Sequence, residues 1–162
     1  MFVLGWLAVS YPVSPTKIKL FTWHKSIGIT ILALVLLRMT WRLANPTPSL
    51  PSHMKSWQRK MAHVSHALLY VVMVSMPVTG WIINSAANFP LKLYGLILLP
   101  SIAPADKSLQ DIAELIHLTL FWLLAGLLLL HITGALWHHF FYRDDVLTRM
   151  LPVERSMAKR YK

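Results

Sequence analysis

A long uncharged stretch in the last third of the chain contains two histidines, and this combination restricts the possible folds more than any other feature. No Asp, Glu, Lys or Arg occurs between Leu115 and Tyr142, whereas His117 and His131 both lie within the stretch. Its length is sufficient for a membrane helix, which needs about 20 mostly apolar residues. On a helix the two histidines share one face within about 40° and lie roughly 21 Å apart along the axis. Because an ionisable side chain in lipid is costly, the spacing predicts two functional sites at two depths.

The composition agrees with a membrane protein. Of the 162 residues, 56% are apolar and seven are Trp, as is typical of membrane chains. A net charge of +10 would suggest nucleic acid binding in a soluble domain. Here the basic residues flank apolar segments, so the positive-inside rule explains them better and no nucleic acid partner is expected. The absence of cysteine excludes disulfides, thiolate zinc sites and cysteine-ligated iron–sulfur clusters.

Pro-rich and mixed stretches divide the chain into apolar segments. We expect helices at about residues 2–11, 23–43, 61–86 and 109–142, of which the first is too short to cross a bilayer alone. Asn45–Pro51 is expected to be a loop, residues 88–108 to lie at the membrane interface, and residues 143–162 to form a basic tail. We therefore predict a single all-α membrane domain over residues 1–162, with lipid as its surroundings.

The distribution of Lys and Arg predicts the orientation. If the second segment runs from outside to inside, eleven basic residues lie on the cytoplasmic side and five outside. The eleven are Arg38, Arg42, Lys55, Arg59, Lys60 and the six basic residues of the tail. This bias predicts a multi-pass protein of the bacterial inner membrane with a cytoplasmic C-terminus.

His24 is the natural partner of His117. It opens the second segment on the outer side, at a depth similar to that of His117, so the two rings can face each other across a bundle. An imidazole nitrogen is a good axial ligand for haem iron. Two such nitrogens on one iron lie about 4 Å apart, by analogy with metal–imidazole bonds of about 2 Å. Gly28 lies one turn below His24, where the missing side chain would let a flat macrocycle approach or would allow close helix packing.

Several motifs resemble the bacterial cytochrome b561 family over nearly the whole chain beyond Lys19. The second segment and its loop carry His24-Lys-Ser-Ile-Gly, Arg38, Trp41-Arg42 and Asn45-Pro-Thr-Pro. The third carries His66-x-x-x-Tyr70 and Pro77-x-x-Gly80. The fourth segment and tail carry His117, His131, His138-His139-Phe140, Asp144-Asp145 and Arg149-Met150. The resemblance implies a four-helix transmembrane bundle with two b-type haems, in which His24 and His117 ligate the outer haem and His131 ligates the inner one.

The chain departs from this family at its beginning. The family's first helix carries a His-Trp pair whose histidine completes the inner haem, and no histidine precedes Trp23 here. We therefore expect a truncated first helix, with a missing N-terminal piece as the favoured explanation and a lost or differently ligated inner haem as the alternatives. His66 is a candidate for lining a cofactor site or for substituting as a ligand opposite His131, whereas interfacial burial is the simpler account of His63.

The remaining polar residues have two interpretations each. Arg38 lies fourteen residues after His24 on the same face and could neutralise a haem propionate, whereas Arg42 is better explained as a headgroup anchor. His138 and His139 suit the end of a helix, and His53 lies in a loop.

Electron transfer is the favoured function: a haem cytochrome that passes electrons between a membrane quinone, such as ubiquinone, and a redox partner or superoxide at one face. Related cytochromes serve as quinone-coupled subunits or superoxide oxidases, so oxidoreductase activity is expected only through this resemblance. A homodimer is also compatible with the sequence. The alternatives are a histidine-containing transporter, which has too few acidic partners here, and a non-catalytic membrane subunit whose histidines bridge helices by hydrogen bonds.

Overall fold

A computed structural model describes residues 1–45 and 56–142, which form a helical bundle with one small hairpin. The elements in chain order are α1 (Phe2–Ser10), α2 (Pro15–Ala44), α3 (Ser56–Ala86), β1 (Leu91–Leu93), β2 (Ile97–Leu99) and α4 (Lys107–Trp137), followed by a π-helical segment (His138–Tyr142). The predicted tail 143–162 and all of the predicted loop except Asn45 lie outside the described residues.

Three helices are long and apolar enough to cross a membrane: α2, α3, and α4 with its extension to Phe141. Their large apolar side chains point away from the bundle, and Leu37, Trp122 and Leu129 are 65%, 64% and 69% exposed. Such surfaces would be unfavourable in water but suit contact with lipid tails. The three predicted long segments are thus confirmed as candidate membrane helices, whereas α1, with nine residues, covers only about 13 Å.

The helix starts differ from the predicted ones because of local capping. α2 begins at Pro15 rather than Trp23, since Ser14 Oγ accepts a hydrogen bond from Lys17 N (3.3 Å) and proline suits the first helical turn. α4 begins at Lys107, since Asp106 Oδ1 accepts from Leu109 N (2.8 Å). The predicted break between the first two segments is therefore confined to a short connection.

The all-α prediction needs one correction, because the connection between α3 and α4 contains an antiparallel hairpin. Leu91 pairs with Leu99 and Leu93 with Ile97. Tyr94 and Gly95 have φ angles of 51° and 77°, and these left-handed conformations reverse the chain.

Three buried polar side chains hold this connection against one end of the bundle. They lie on α2 and α3 and are 1%, 3% and 5% exposed: Ser26, Asn84 and Ser85. Their partners are backbone groups of the connection: Tyr94 N (2.8 Å), Phe89 O (2.6 Å) and Ile102 N (3.1 Å), respectively. Since buried polar groups require partners, these bonds position the hairpin.

The helices pack in an antiparallel series, α1 beside α2, α2 beside α3 and α3 along α4. Gly5 of α1 lies against His24, and the Met1 side chain lies near Gly28. The described part of α1 therefore covers only the half of α2 that contains His24.

Candidate functional site

His24 and His117 face each other from α2 and α4, as the sequence predicts. Their ring centroids are 6.4 Å apart and the ring planes form an angle of 77°. Both side chains are half-buried. Two nitrogens that share one iron lie about 4 Å apart, and each ring centroid lies roughly 1 Å behind its nitrogen. A centroid separation of 6.4 Å therefore leaves space for a metal between the rings.

The hydrogen bonds of His117 determine which of its nitrogens carries the proton. Thr79 Oγ1 donates to the carbonyl oxygen of Met76 (2.8 Å), because a carbonyl can only accept. The same hydroxyl oxygen lies 2.9 Å from His117 Nδ1 and therefore accepts from it. The free electron pair of His117 is then on Nε2, the arrangement that metal-ligating histidines require.

Two glycines border this pair of rings. A Cβ atom at Gly5 would lie 3.0 Å from His24 Cε1, and one at Gly80 would lie 3.4 Å from His117 Cε1. At Gly28, the glycine singled out from the sequence, the nearest foreign atom is the Met1 Cε, at 3.8 Å. Space beside the rings therefore comes from Gly5 and Gly80. Sequence reasoning assigned them no role, although Gly80 belongs to the Pro77-x-x-Gly80 motif.

A haem fits the residues present at this position. Nδ1 of His24 is buried and has no hydrogen-bond partner among the described residues, and such an atom costs free energy unless a partner is supplied. The His24 imidazole and the free Nε2 of His117 would supply two axial nitrogens to a flat group, and the two glycines let the neighbouring helices approach the rings without a side chain between them. We call this set of residues (Gly5, His24, Thr79, Gly80 and His117) the His117 level.

A second pair of imidazoles lies one level further along the same helices. The ring centroids of His66 on α3 and His131 on α4 are 5.3 Å apart, with an angle of 63° between the planes. Arg38 Nε donates to Tyr70 Oη (3.0 Å), and the guanidinium of Arg42 lies 5.4 Å from the Tyr70 ring centroid. We call His66, His131, Arg38, Arg42 and Tyr70 the His131 level.

A cleft of about 880 Å³ opens beside the His131 level, between α2 and α3. Its polar lining includes Arg42, His63, His66 and Tyr70. His63 Nδ1 donates to the carbonyl oxygen of Arg59 (2.7 Å), and the His63 side chain is exposed. The cleft thus combines hydrogen-bonding groups with apolar walls from Met39, Leu43 and Ala67.

The other histidines contribute nothing to either level. His138 and His139 lie in the π-helical segment after α4, and His53 lies outside the described residues. In residues 1–45 and 56–142, no group of three or more His, Asp or Glu side chains is arranged to hold a metal ion. The imidazoles therefore occur as two opposed pairs, which suit axial ligation better than a closed metal site.

Comparisons with known proteins give a consistent result. The sequence profile of prokaryotic cytochrome b561 matches residues 1–153. The chain is 32% identical to cytochrome b561 homolog 2 of Escherichia coli over 153 residues, which cover 93% of this chain and 81% of the relative. It is also 32% identical to the probable superoxide oxidase CybB of Yersinia pestis, over 82% of this chain and 75% of that protein.

A further relative agrees with these. Cytochrome b561 homolog 1 of Escherichia coli is 26% identical over 94% of this chain and 84% of its own length. Residues 1–153, which the family profile matches, include both imidazole pairs and the hairpin between α3 and α4.

Proposed function

This chain belongs to the prokaryotic cytochrome b561 family, and from that premise we propose that His24 and His117 hold a b-type haem through which the protein transfers electrons. That the protein is a membrane haem cytochrome follows from the family. The ligand assignment is supported by one observation above all: the two imidazoles, distant in sequence, oppose each other at 6.4 Å across the bundle.

When bound, a haem supplies one-electron redox chemistry, and the chain supplies its orientation and surroundings. Thr79 keeps the proton of His117 on Nδ1, so Nε2 is directed away from Thr79 and free for coordination. Gly5 and Gly80 keep space beside the rings. The apolar helix faces exclude water, and burial of this kind tunes the reduction potential.

The His131 level is proposed to hold a second haem, so that electrons cross the membrane along α4. His131 lies about 21 Å from His117 along the helix. Arg38 is fourteen residues from His24, and its guanidinium remains available to a haem propionate through donors other than the Nε that bonds Tyr70. Gly28 is proposed only to ease packing of the macrocycle on α2.

The proposed electron acceptor or donor in the membrane is a quinone, such as ubiquinone. Its carbonyl oxygens need hydrogen-bond donors, and the cleft beside the His131 level presents an imidazole, a phenol and a guanidinium next to apolar walls. This combination of a few convergent polar groups with apolar lining is typical of small-molecule sites.

Superoxide is the proposed small reductant at the opposite face, since one relative is a probable superoxide oxidase. Two superoxide anions would each lose one electron to form two O2, and a quinone would take both electrons and two protons to form a quinol.

Three lysines at this face would attract anions: Lys17, Lys19 and Lys25. Two of these amines are already engaged within the protein: Lys17 Nζ donates to Val9 O (3.1 Å) and Lys25 Nζ to Asn84 Oδ1 (2.5 Å). Lys19 is therefore the better candidate for a free charge.

The charge bias of the sequence supports a bacterial inner-membrane protein with a cytoplasmic C-terminus. In that orientation the hairpin and the His117 level lie on the periplasmic side. A redox protein would then dock at one face of the membrane, and a second copy of the chain would pack on the exposed apolar flanks of the helices.

Absorption spectra of the purified protein test the ligand assignment. We expect a reduced b-type spectrum in the wild type and loss of one haem per chain in both His24→Ala and His117→Ala. His63→Ala is the matched control, because His63 is exposed and bonds only within its own helix. Normal haem content in the His24 and His117 variants would refute the assignment.

A further inference from the structure

A lysine side chain is held inside the hairpin end of the bundle, one residue after the proposed haem ligand His24. The side chain of Lys25 is half-buried, and its Nζ donates a hydrogen bond to Asn84 Oδ1 on α3 (2.5 Å). The Phe21 ring centroid lies 5.9 Å from the same Nζ. Because Asn84 is only 3% exposed, the bond directs the ammonium into the bundle rather than towards solvent.

Asn84 holds this ammonium in a defined position. Its Nδ2 donates to the carbonyl oxygen of Phe89 (2.6 Å), so its Oδ1 is the atom that faces Lys25. An ammonium has three N–H donors, and the bond to Asn84 uses one of them. Two donors of Lys25 are therefore left for a further acceptor.

The charge of Lys25 is not balanced by an acidic side chain of the described residues. Their carboxylates lie on the first turns of α4 and its cap, and each accepts a hydrogen bond there: Asp106, Asp111 and Glu114. A cation that is partly withdrawn from water costs free energy unless an anion lies beside it. The position of Lys25 therefore suits an anionic group that the chain itself does not supply.

The ammonium lies close to the His117 level. Gly80, which borders the His117 ring, and Asn84 are four residues apart on α3, so they share nearly the same face and lie roughly 6 Å apart along the helix axis. The Lys25 ammonium is thus about one helical turn from the imidazole pair, on the side of the hairpin. A haem is a flat group with two propionates on one edge, and this edge can face Lys25 while both rings ligate the iron.

We propose that Lys25 Nζ binds a propionate of the haem at the His117 level and raises the reduction potential of that haem. The inference rests on the proposed haem function but concerns the edge of the haem, not its iron ligands. Oxidised haem carries one more positive charge than reduced haem, so a fixed cation nearby favours the reduced form. The charge of Lys25 would then favour the arrival of electrons at this level.

Redox titration and haem-loss rates of the full-length chain test the proposal. Lys25→Gln removes the charge but keeps a donor for Asn84 Oδ1, so the contact between α2 and α3 is retained. We expect a lower midpoint potential for the haem whose signal is lost in His24→Ala, and roughly tenfold faster loss of that haem. Lys25→Arg should restore both, since a guanidinium also pairs with carboxylates.

Lys92→Met is the matched control. Lys92 lies exposed on β1 at the same end of the bundle, so its substitution removes one cation from this end without touching the proposed contact. Both the potential and the haem-loss rate should stay at the wild-type values.

Haem dimethyl ester identifies the group that Lys25 binds, because both of its propionates are uncharged methyl esters. Reconstituted with this ester, the wild type and Lys25→Gln should lose it at the same rate. A difference in loss rate that persists with the ester would show that Lys25 stabilises the site without binding a propionate, and would refute the proposal.

The other outcomes are equally decisive. An unchanged potential and haem-loss rate in Lys25→Gln, or equal shifts in Lys92→Met, would refute the role of Lys25 and leave the proposed function intact. If Lys25→Gln does not fold, Lys25→Met serves for the same measurements, since methionine tolerates apolar surroundings. Absence of haem from the wild type would refute the proposed function itself.

Discussion

The His117 level and the His131 level are built on the same helices but differ in what surrounds the imidazoles. At the His117 level, α1 covers α2, two glycines border the rings, and a threonine orients one of them. At the His131 level, three helices contribute described residues, and two arginines and a tyrosine border the rings. The first level is the more covered one and has an oriented ligand, whereas the second borders an open cleft with apolar walls and a few polar groups.

This difference suggests that the two levels have different roles in electron transfer. A haem in an enclosed apolar site exchanges electrons with little rearrangement of its surroundings, and its potential depends on burial and ligand orientation. A haem beside an open cleft with hydrogen-bonding groups is accessible to a small membrane-soluble partner. Substitutions that are confined to one level should therefore affect one haem and leave the other unchanged.

Filling the space at Gly5 is expected to have the largest effect. A Cβ atom added at Gly5 would lie only 3.0 Å from the His24 ring, so the larger side chain of Gly5→Leu would displace the imidazole. Overpacking of this kind costs about 1–3 kcal/mol, which corresponds to roughly 5- to 150-fold faster haem loss from the His117 level. Haem transfer to apomyoglobin measures the rate.

Gly126→Leu is the matched control, because no foreign atom lies within 4 Å of a Cβ atom at Gly126. Both substitutions improve helix propensity, so only the contact with His24 distinguishes them. Equal haem retention in the two variants would show that Gly5 does not shape the site.

Removing the hydroxyl of Thr79 should have an intermediate effect. Thr79→Val takes away the acceptor for His117 Nδ1–H, and loss of such a partner weakens metal binding by about 10- to 100-fold. We expect the lower end, because Thr79 acts on the ligand only through the nitrogen that does not coordinate. The measurement is the reduction potential and haem-loss rate of the His117 level. Thr79→Ser should restore both, and a Thr79→Val variant identical to the wild type would exclude an orienting role.

The smallest effect is expected at Tyr70. Tyr70→Phe removes the hydrogen bond from Arg38 Nε (3.0 Å), and a bond of this kind contributes about 0.5–1.5 kcal/mol. Arg38 would move more freely, so the potential of the haem at the His131 level should shift while that at the His117 level stays constant. Redox titration followed by absorption resolves the two.

Tyr94→Phe provides the comparison from the opposite end of the bundle. It removes the 2.8 Å hydrogen bond between Tyr94 and Thr30, so it should leave the His131 level unaffected. Equal shifts from both tyrosine variants would mean that the two levels are not independent.

The three long apolar helices and the facing of His24 and His117 could be predicted from the sequence. Lipid requires every backbone group to be satisfied within the helix, so segment length and charge distribution are sufficient to locate the spans. His24 and His117 lie near the beginnings of two parallel segments, so they have similar depths and can face each other when the two segments share a bundle. Helix starts such as Pro15 and Lys107 were predicted less well, because capping by Ser14 and Asp106 depends on local backbone geometry.

The residues that complete each level could not be predicted from the sequence and are known from the packing of the helices. Gly5, Thr79 and Gly80 lie on other helices than the imidazoles they border or orient, and their relation to the rings follows from the lateral order and register of the helices. Helix periodicity specifies a face but not the neighbour that packs against it. The sequence indicated His66 as a candidate, but its position opposite His131 depends on the register of α3 against α4.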